Sequence, residues 1–167
     1  GKYIEIKLQG HNRDEAKITV LGVPDRPGVA ATLFGALADA SINVDMIIQN
    51  ISESGETDVT FTVPRGEYAN AMEVLAIPVK QINAKDIKGD RTIAKVSAVG
   101  VGMRSHSGVA QRMFNALAAD GINIQMISTS EIKISVILDE KYMELAVRTL
   151  HDAFELDKDA GDRVGTR

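Results

Sequence analysis

The chain has 167 residues, 44% of them hydrophobic, which is enough to bury a core in one ordinary domain or two small ones. Its 19 basic and 23 acidic side chains give a net charge of -4, so there is no cationic field of the kind that holds a phosphate backbone or an anionic membrane. No cysteine occurs, which excludes disulfides, thiolate catalysis and cysteine-ligated metals, and no apolar run approaches the roughly 18 residues that span a bilayer. These features point to a cytoplasmic protein whose partners are neither nucleic acid nor membrane. Gly1 in place of Met, with no apolar leader core behind it, suggests a processed terminus or a fragment.

In chain order, Ile4, Ile6 and Leu8 alternate with Glu5, Lys7 and Gln9, the pattern of a half-buried strand over residues 3–9. Ile18, Thr19 and Val20 are β-branched in succession and predict a short strand bounded by Gly22 and Pro24. The loop Pro24-Asp25-Arg26-Pro27-Gly28 follows, and Val29, Leu33, Phe34 and Leu37 then recur at helical spacing to about Ala40. Val44, Met46 and Ile48 begin a second strand, and Ser52-Glu53-Ser54-Gly55-Glu56 reads as a turn. Val59, Phe61 and Val63 then alternate with polar residues as a third strand. Tyr68, Met72 and Leu75 predict a second helix, and residues 82–87 a fourth strand. The order is βαββαβ, the split βαβ arrangement of ferredoxin-like folds, with an antiparallel sheet and helices on one face.

The chain then repeats itself. Residues 28–47 align without gaps on residues 108–127, and eleven of the twenty pairs are identical, among them Gly28/Gly108, Phe34/Phe114, Ile42/Ile122, Asn43/Asn123 and Ile47/Ile127. Unrelated stretches would share about one. Ala16-Lys17-Ile18-Thr19 likewise matches Ala94-Lys95-Val96-Ser97, so the chain is a duplicated module. The second copy continues through a strand at residues 132–138 and a helix carrying Leu145, Val147, Leu150 and Phe154. What remains after that helix is rich in charge and glycine, which leaves the second module one strand short. The strand at 3–9 completes it, or else stands as a swapped or edge strand. The first reading gives an inserted module at 15–90, a second built from 1–14 with 91–156, and a flexible tail at 157–167.

His11, His106 and His151 are isolated, without the spacing or neighbours of a metal site. No phosphate-binding loop occurs, Gly100-Val101-Gly102 lacks the third glycine of a dinucleotide fingerprint, and Ser105-His106-Ser107 has no identifiable catalytic partner. Neither a catalytic residue, a metal nor a cofactor is therefore expected within this chain. The repeated feature is the junction of first strand, glycine-containing loop and first helix, where backbone amides and the helix dipole favour a carboxylate. That suits an amino-acid ligand. Asp25 either takes the ligand's ammonium or hydroxyl group or simply forms the turn. Asn43 and Asn123 either bond a ligand or satisfy the turn between helix and strand.

Val23-Pro24-Asp25-Arg26-Pro27-Gly28, Ile42-Asn43-Val44-Asp45-Met46-Ile47-Ile48-Gln49-Asn50 and Ile127-Ser128-Thr129-Ser130-Glu131-Ile132-Lys133-Ile134-Ser135-Val136 closely resemble the tandem ACT domains at the C-terminus of bacterial aspartokinases, including the separately translated β subunit. The resemblance covers nearly the whole chain and departs most at Leu8-Gln9-Gly10. It implies feedback control by threonine, lysine or both, bound between the first module of one chain and the second of another in a homodimer. By position it assigns Asp25, Gly28, Val29 and Ala30 to the effector loop, and Asn43, Val44, Asp45 and Gln49 to the strand that completes the pocket. Val109, Ala110, Asn123, Ile124, Ser130 and Glu131 are the second-module counterparts. It further implies that ATP, magnesium and aspartate belong to a kinase domain or α subunit outside this chain. The competing reading is a stand-alone amino-acid-binding or dimerising ACT protein.

Overall fold

The computed structural model describes residues 5–51, 54–101, 106–130 and 132–160. The expectations placed on Tyr3, Ile4, Ser52, Glu53, Gly102, Ser105, Glu131 and residues 161–167 lie outside the described residues.

The chain divides into two compact units, one of residues 14–93 and one of residues 1–13 with 94–167. The inserted unit runs β2 (Glu15–Pro24), α1 (Val29–Asp39), β3 (Ile47–Ile51), β4 (Glu56–Pro64), α2 (Tyr68–Gln81) and β5 (Asp86–Asp90). Its sheet has the order β3-β4-β2-β5, with each neighbouring pair antiparallel. The other unit contributes β1 (Glu5–Asn12), β6 (Ile93–Val101), α3 (His106–Ala119), β7 (Met126–Thr129), β8 (Lys133–Asp139) and α4 (Met143–Ala160). The order of its sheet is β1-β6-β8-β7, in which β1 runs antiparallel to β6 and β7 antiparallel to β8. Both sheets thus show the strand order of a ferredoxin-like fold.

Alternation builds the first core. Ala16, Ile18 and Val20 of β2 and Val59, Phe61 and Val63 of β4 are buried on one face, where they meet Leu33 and Leu37 of α1 and Ala71 and Leu75 of α2. Phe61 packs edge-to-face on Phe34, with ring centroids 5.3 Å apart. Val96, Val109, Met113, Leu117, Ile134, Val136 and Leu150 fill the equivalent places in the second core.

Four boundaries differ from expectation. β2 begins at Glu15 rather than Ile18, because β4 extends to Pro64 and pairs with it down to that residue. The regular strand β3 begins at Ile47 rather than Val44, since buried Thr62 takes over the preceding positions. Its carbonyl accepts from Asp45 N (3.0 Å), its amide donates to Met46 O (3.0 Å), and its Oγ1 accepts from Met46 N (3.0 Å). Ile82, read as the start of a strand, instead closes α2, donating its amide to Pro78 O, and β5 begins only at Asp86. At the far end, α4 continues through Ala160, into the segment expected to be a flexible tail.

Arg65 fastens the base of the inserted unit. Its amide donates to Asp14 O (2.6 Å), its Nε to Glu15 O (3.3 Å) and its Nη2 to Ile93 O (2.7 Å), which ties the entering strand to the leaving one. Asp90, the last residue of β5, accepts from Thr92 N (2.7 Å) and Thr92 Oγ1 (2.5 Å). Partial burial pushes its carboxyl up, but the Thr92 bonds, with Lys17 and Arg65 nearby, hold it below the ordinary carboxylate value.

Candidate functional site

β2 does not run straight into its loop. A bulge between Val20 and Val23 places Gly22 at a positive φ of 62°, with its amide donating to Asp58 Oδ1 at 2.9 Å. A bulge bends a strand and increases its twist, and this one turns Val23 and Pro24 beneath the start of α1. The chain then tightens, with Arg26 N donating to Pro24 O (3.1 Å), and enters the helix through Gly28 at φ 88°. Gly28 is the N-cap and offers no side-chain cap, and the first turn of α1 carries no acidic residue. The leading amides of a helix have no acceptor within it, so those of Val29 and Ala30 carry the positive end of the helix dipole toward whatever stands before them.

A cleft of about 100 Å³ opens there, bordered by the loop, the first turn of α1 and the ends of β3 and β4. Asp25 and Arg26 supply charge at its rim, Gln49 an amide, and Val23, Val29, Ala30 and Val59 an apolar lining. Thr57 and Ile51 complete it from the strand ends that pair with each other. Pockets for drug-sized ligands run to about 300–1,000 Å³, so this one has room only for a small metabolite. Its chemistry suits a zwitterion: helix amides for a carboxylate, Asp25 for an ammonium, and branched aliphatic walls for a short side chain.

A second cavity, about 310 Å³, is bordered by Arg26, Gly28, Thr32, Gln81 and Ile82. Arg26 Nη2 reaches Ile82 O there at 3.5 Å, and Thr32 bonds Gly28 O through both its amide and its Oγ1 at 3.0 Å. Both cavities are lined by residues of the inserted unit alone.

Of the residues singled out in the sequence, Asp25, Val29, Ala30 and Gln49 meet at the first cleft, and Gly28 borders the second. Asn43, Val44 and Asp45 sit elsewhere. They lie after the C-terminal end of α1, where Asp45 bonds Thr62, five residues along β4 from Thr57. At about 3.3 Å per residue that is roughly 16 Å from Thr57 and about 10 Å from Val59, which also borders the cleft. Asn43 and Asp45 are exposed, whereas Val44 packs against the core. In the other unit Val109 is buried in the first turn of α3 and Ala110 packs partly against that core. Asn123 is exposed and Ile124 half-buried between α3 and β7, and exposed Ser130 donates its amide to Lys133 O (2.8 Å) at the turn between β7 and β8. Glu131 lies outside the described residues.

Sequence reasoning missed Val23, Arg26, Ile51, Thr57 and Val59 as cleft residues. For Thr57 a signal existed, since it stands in phase with Val59, Phe61 and Val63 and so shares their inward face. Among the described residues no cluster of three or more His, Asp or Glu is placed to hold a metal ion, and no helix is long and apolar enough to cross a membrane.

Residues 18–76 and 96–154 each match the family model of the ACT domain. The aspartate kinase of Pseudomonas fluorescens (strain SBW25) is 62% identical over 149 residues, covering 89% of this chain and 36% of that protein. A crystal structure of aspartokinase alpha and beta subunits superposes with a TM-score of 0.83 at 58% identity, over 90% of this chain and 97% of that one. The ligand-free regulatory subunit of aspartate kinase from Thermus thermophilus superposes with a TM-score of 0.82 at 42% identity, over 89% of this chain and 99% of the subunit. The chain thus spans little more than a third of the curated aspartate kinases it matches, and nearly all of the regulatory subunit from Thermus thermophilus.

Proposed function

This chain belongs to the ACT-domain family as the regulatory part of an aspartokinase, and from that premise we propose that it is an allosteric sensor of threonine, lysine or both. The observation that carries the reading is the cleft at the start of α1. It gathers a free helix terminus, the Asp25 carboxylate and the Gln49 amide around about 100 Å³ of partly apolar space. Binding there stabilises one arrangement of the regulatory modules, and that preference is felt by a kinase domain or α subunit that holds ATP, magnesium and aspartate outside these 167 residues. A ligand acts on such an equilibrium only through its different affinities for the two states.

The remaining assignments belong to the same proposal. The effector pocket includes Asp25, Gly28, Val29, Ala30 and Gln49. Asn43, Val44, Asp45, Val109, Ala110, Asn123, Ile124, Ser130 and Glu131 contribute when a second copy of the chain docks, so the sensor works as a homodimer in the cytoplasm. Edge strands β3 and β7, which expose Ile47, Ile51 and Ile127, supply unpaired backbone and apolar surface for that docking. The chain alone catalyses nothing.

Titration calorimetry of threonine and of lysine into the chain tests the reading. Saturable binding of at least one, by a species sedimenting at twice 18.0 kDa, with no aspartyl phosphate formed from ATP and aspartate, is the expected result. Binding of neither would leave only a dimerising module.

A further inference from the structure

Aspartate is depleted in strands, yet Asp58 lies inside β4, between Thr57 and Val59, which both line the cleft. Alternation turns its side chain to the opposite face of the sheet, and it does not border the cleft. The register accounts for it. Val20 pairs with Val59 and Val23 with Thr57, so Leu21 and Gly22 together face Asp58 alone, two residues against one. Such a bulge leaves backbone groups out of the ladder, and the Asp58 carboxylate accepts the Gly22 amide at 2.9 Å. Lys85, just before β5, closes the bulge from the other side. Its amide donates to Leu21 O (2.8 Å), and its Nζ pairs with Glu56 at 3.0 Å. Between those two points its stem passes so close to Gly22 that a Cβ there would stand 2.6 Å from Lys85 Cγ.

We infer that Asp58 is a positioning residue for the cleft: gripping Gly22 from the far face of the sheet, it fixes the bulge, and the bulge aims Val23, Pro24 and Asp25 at the ligand. The inference rests on the proposed binding of an amino acid at this cleft and adds to it a residue that touches no ligand. Val23 and Pro24 carry the link, since both pair with β4 and both border the cleft. A bulge sets the bend and twist of the strand that leaves it, so a Gly22 released from Asp58 lets Asp25 move relative to the α1 amides. A loop already held in its binding geometry spares the ligand the cost of ordering it. What Asp58 supplies is therefore an acceptor in one place rather than a charge for the ligand's ammonium.

Two substitutions separate place from charge. Asp58→Asn keeps an acceptor oxygen where it is and removes the charge, whereas Asp58→Glu keeps the charge and moves the oxygens one methylene further out. Threonine and lysine are titrated calorimetrically into the wild-type chain, both variants and Asp58→Ala, well below each Tm so that only folded molecules are counted. For whichever amino acid the wild type binds, the expected result is that Asp58→Asn stays within about threefold of its affinity, while Asp58→Glu and Asp58→Ala bind about tenfold more weakly. A merely structural role would lower Tm and leave the affinities alone, so an Asp58→Ala chain that binds as tightly as the wild type would overturn the inference. An Asp58→Asn chain that binds no better than Asp58→Glu would overturn it as well, and that comparison decides by itself if Asp58→Ala does not fold. In either case the sensor reading stands. Binding of neither amino acid by the wild type would overturn that reading and this inference together.

Discussion

Thr62 shows how one hydroxyl holds an irregular join. It is fully buried, and its Oγ1 accepts the Met46 amide at 3.0 Å where the chain between α1 and β3 has not yet entered the regular ladder. Thr62→Val fills the same volume but leaves that amide facing a methyl group, at a cost of about 1–3 kcal/mol. Chemical denaturation should record this loss, and Thr62→Ser should recover most of it; a Thr62→Val chain as stable as the wild type would refute the account. Such a residue is hard to recognise beforehand, because Thr60 and Thr62 look alike in the sequence. Only the pairing gives one of them a buried donor, while the other shares its hydroxyl with Thr19 at 3.0 Å. The same holds at the cleft. Asp25, Val29 and Ala30 are neighbours in sequence and so were legible together, whereas Gln49 is assigned only through the family resemblance and Thr57 reaches them through the register of β3 against β4, which no local pattern states.

The helices end alike. After α1, Ser41 N donates to Ala38 O (2.9 Å) and Ile42 N to Leu37 O (2.9 Å), with Ser41 at φ 59°. After α2, Asn83 N donates to Lys80 O and Ala84 N to Val79 O (both 3.1 Å), with Asn83 at φ 60°. After α3, Gly121 N donates to Ala118 O (3.0 Å) and Ile122 N to Leu117 O (2.9 Å), with Gly121 at φ 70°. Each is a Schellman cap, and the isoleucines that follow Ser41 and Gly121 are buried against the helices they close. The left-handed position costs a side-chain-bearing residue about 1–2 kcal/mol, of which glycine's greater freedom in the unfolded chain returns about 0.4–1. Ser41→Gly should therefore raise stability by roughly 0.5–1 kcal/mol, and Gly121→Ser should lower it by a similar amount. Opposite shifts in the denaturation midpoints of the two variants check this, and shifts of the same sign would contradict it. The identity of Ile42 with Ile122 revealed the repeat without the cap behind it. At α2, where Asn83 lacks a glycine's signal, Ile82 looked like the start of a strand.

At the scale of the whole molecule, duplication explains why so much of the architecture was readable. A second copy of the alternation in β2 and of the α1 face appears in β6 and α3, so each weak local signal occurs twice. The cleft at the start of α1 is lined by residues of the inserted unit, and the loop Asp25-Arg26-Pro27 has no counterpart of the same length and charge before Gly108 in the sequence. Sensing by the first module is the central claim, and thermal melting of the chain with and without effector tests it most directly. A ligand that binds only the folded state stabilises it by about 2.7 kcal/mol at a hundredfold excess over Kd, which raises Tm by several degrees. The expected result is a Tm that climbs with threonine or lysine concentration. Asp25→Ala and Gln49→Ala should reduce that climb with little change in the unliganded Tm, because both side chains are exposed. A melting curve that neither amino acid moves at millimolar concentration would contradict the claim.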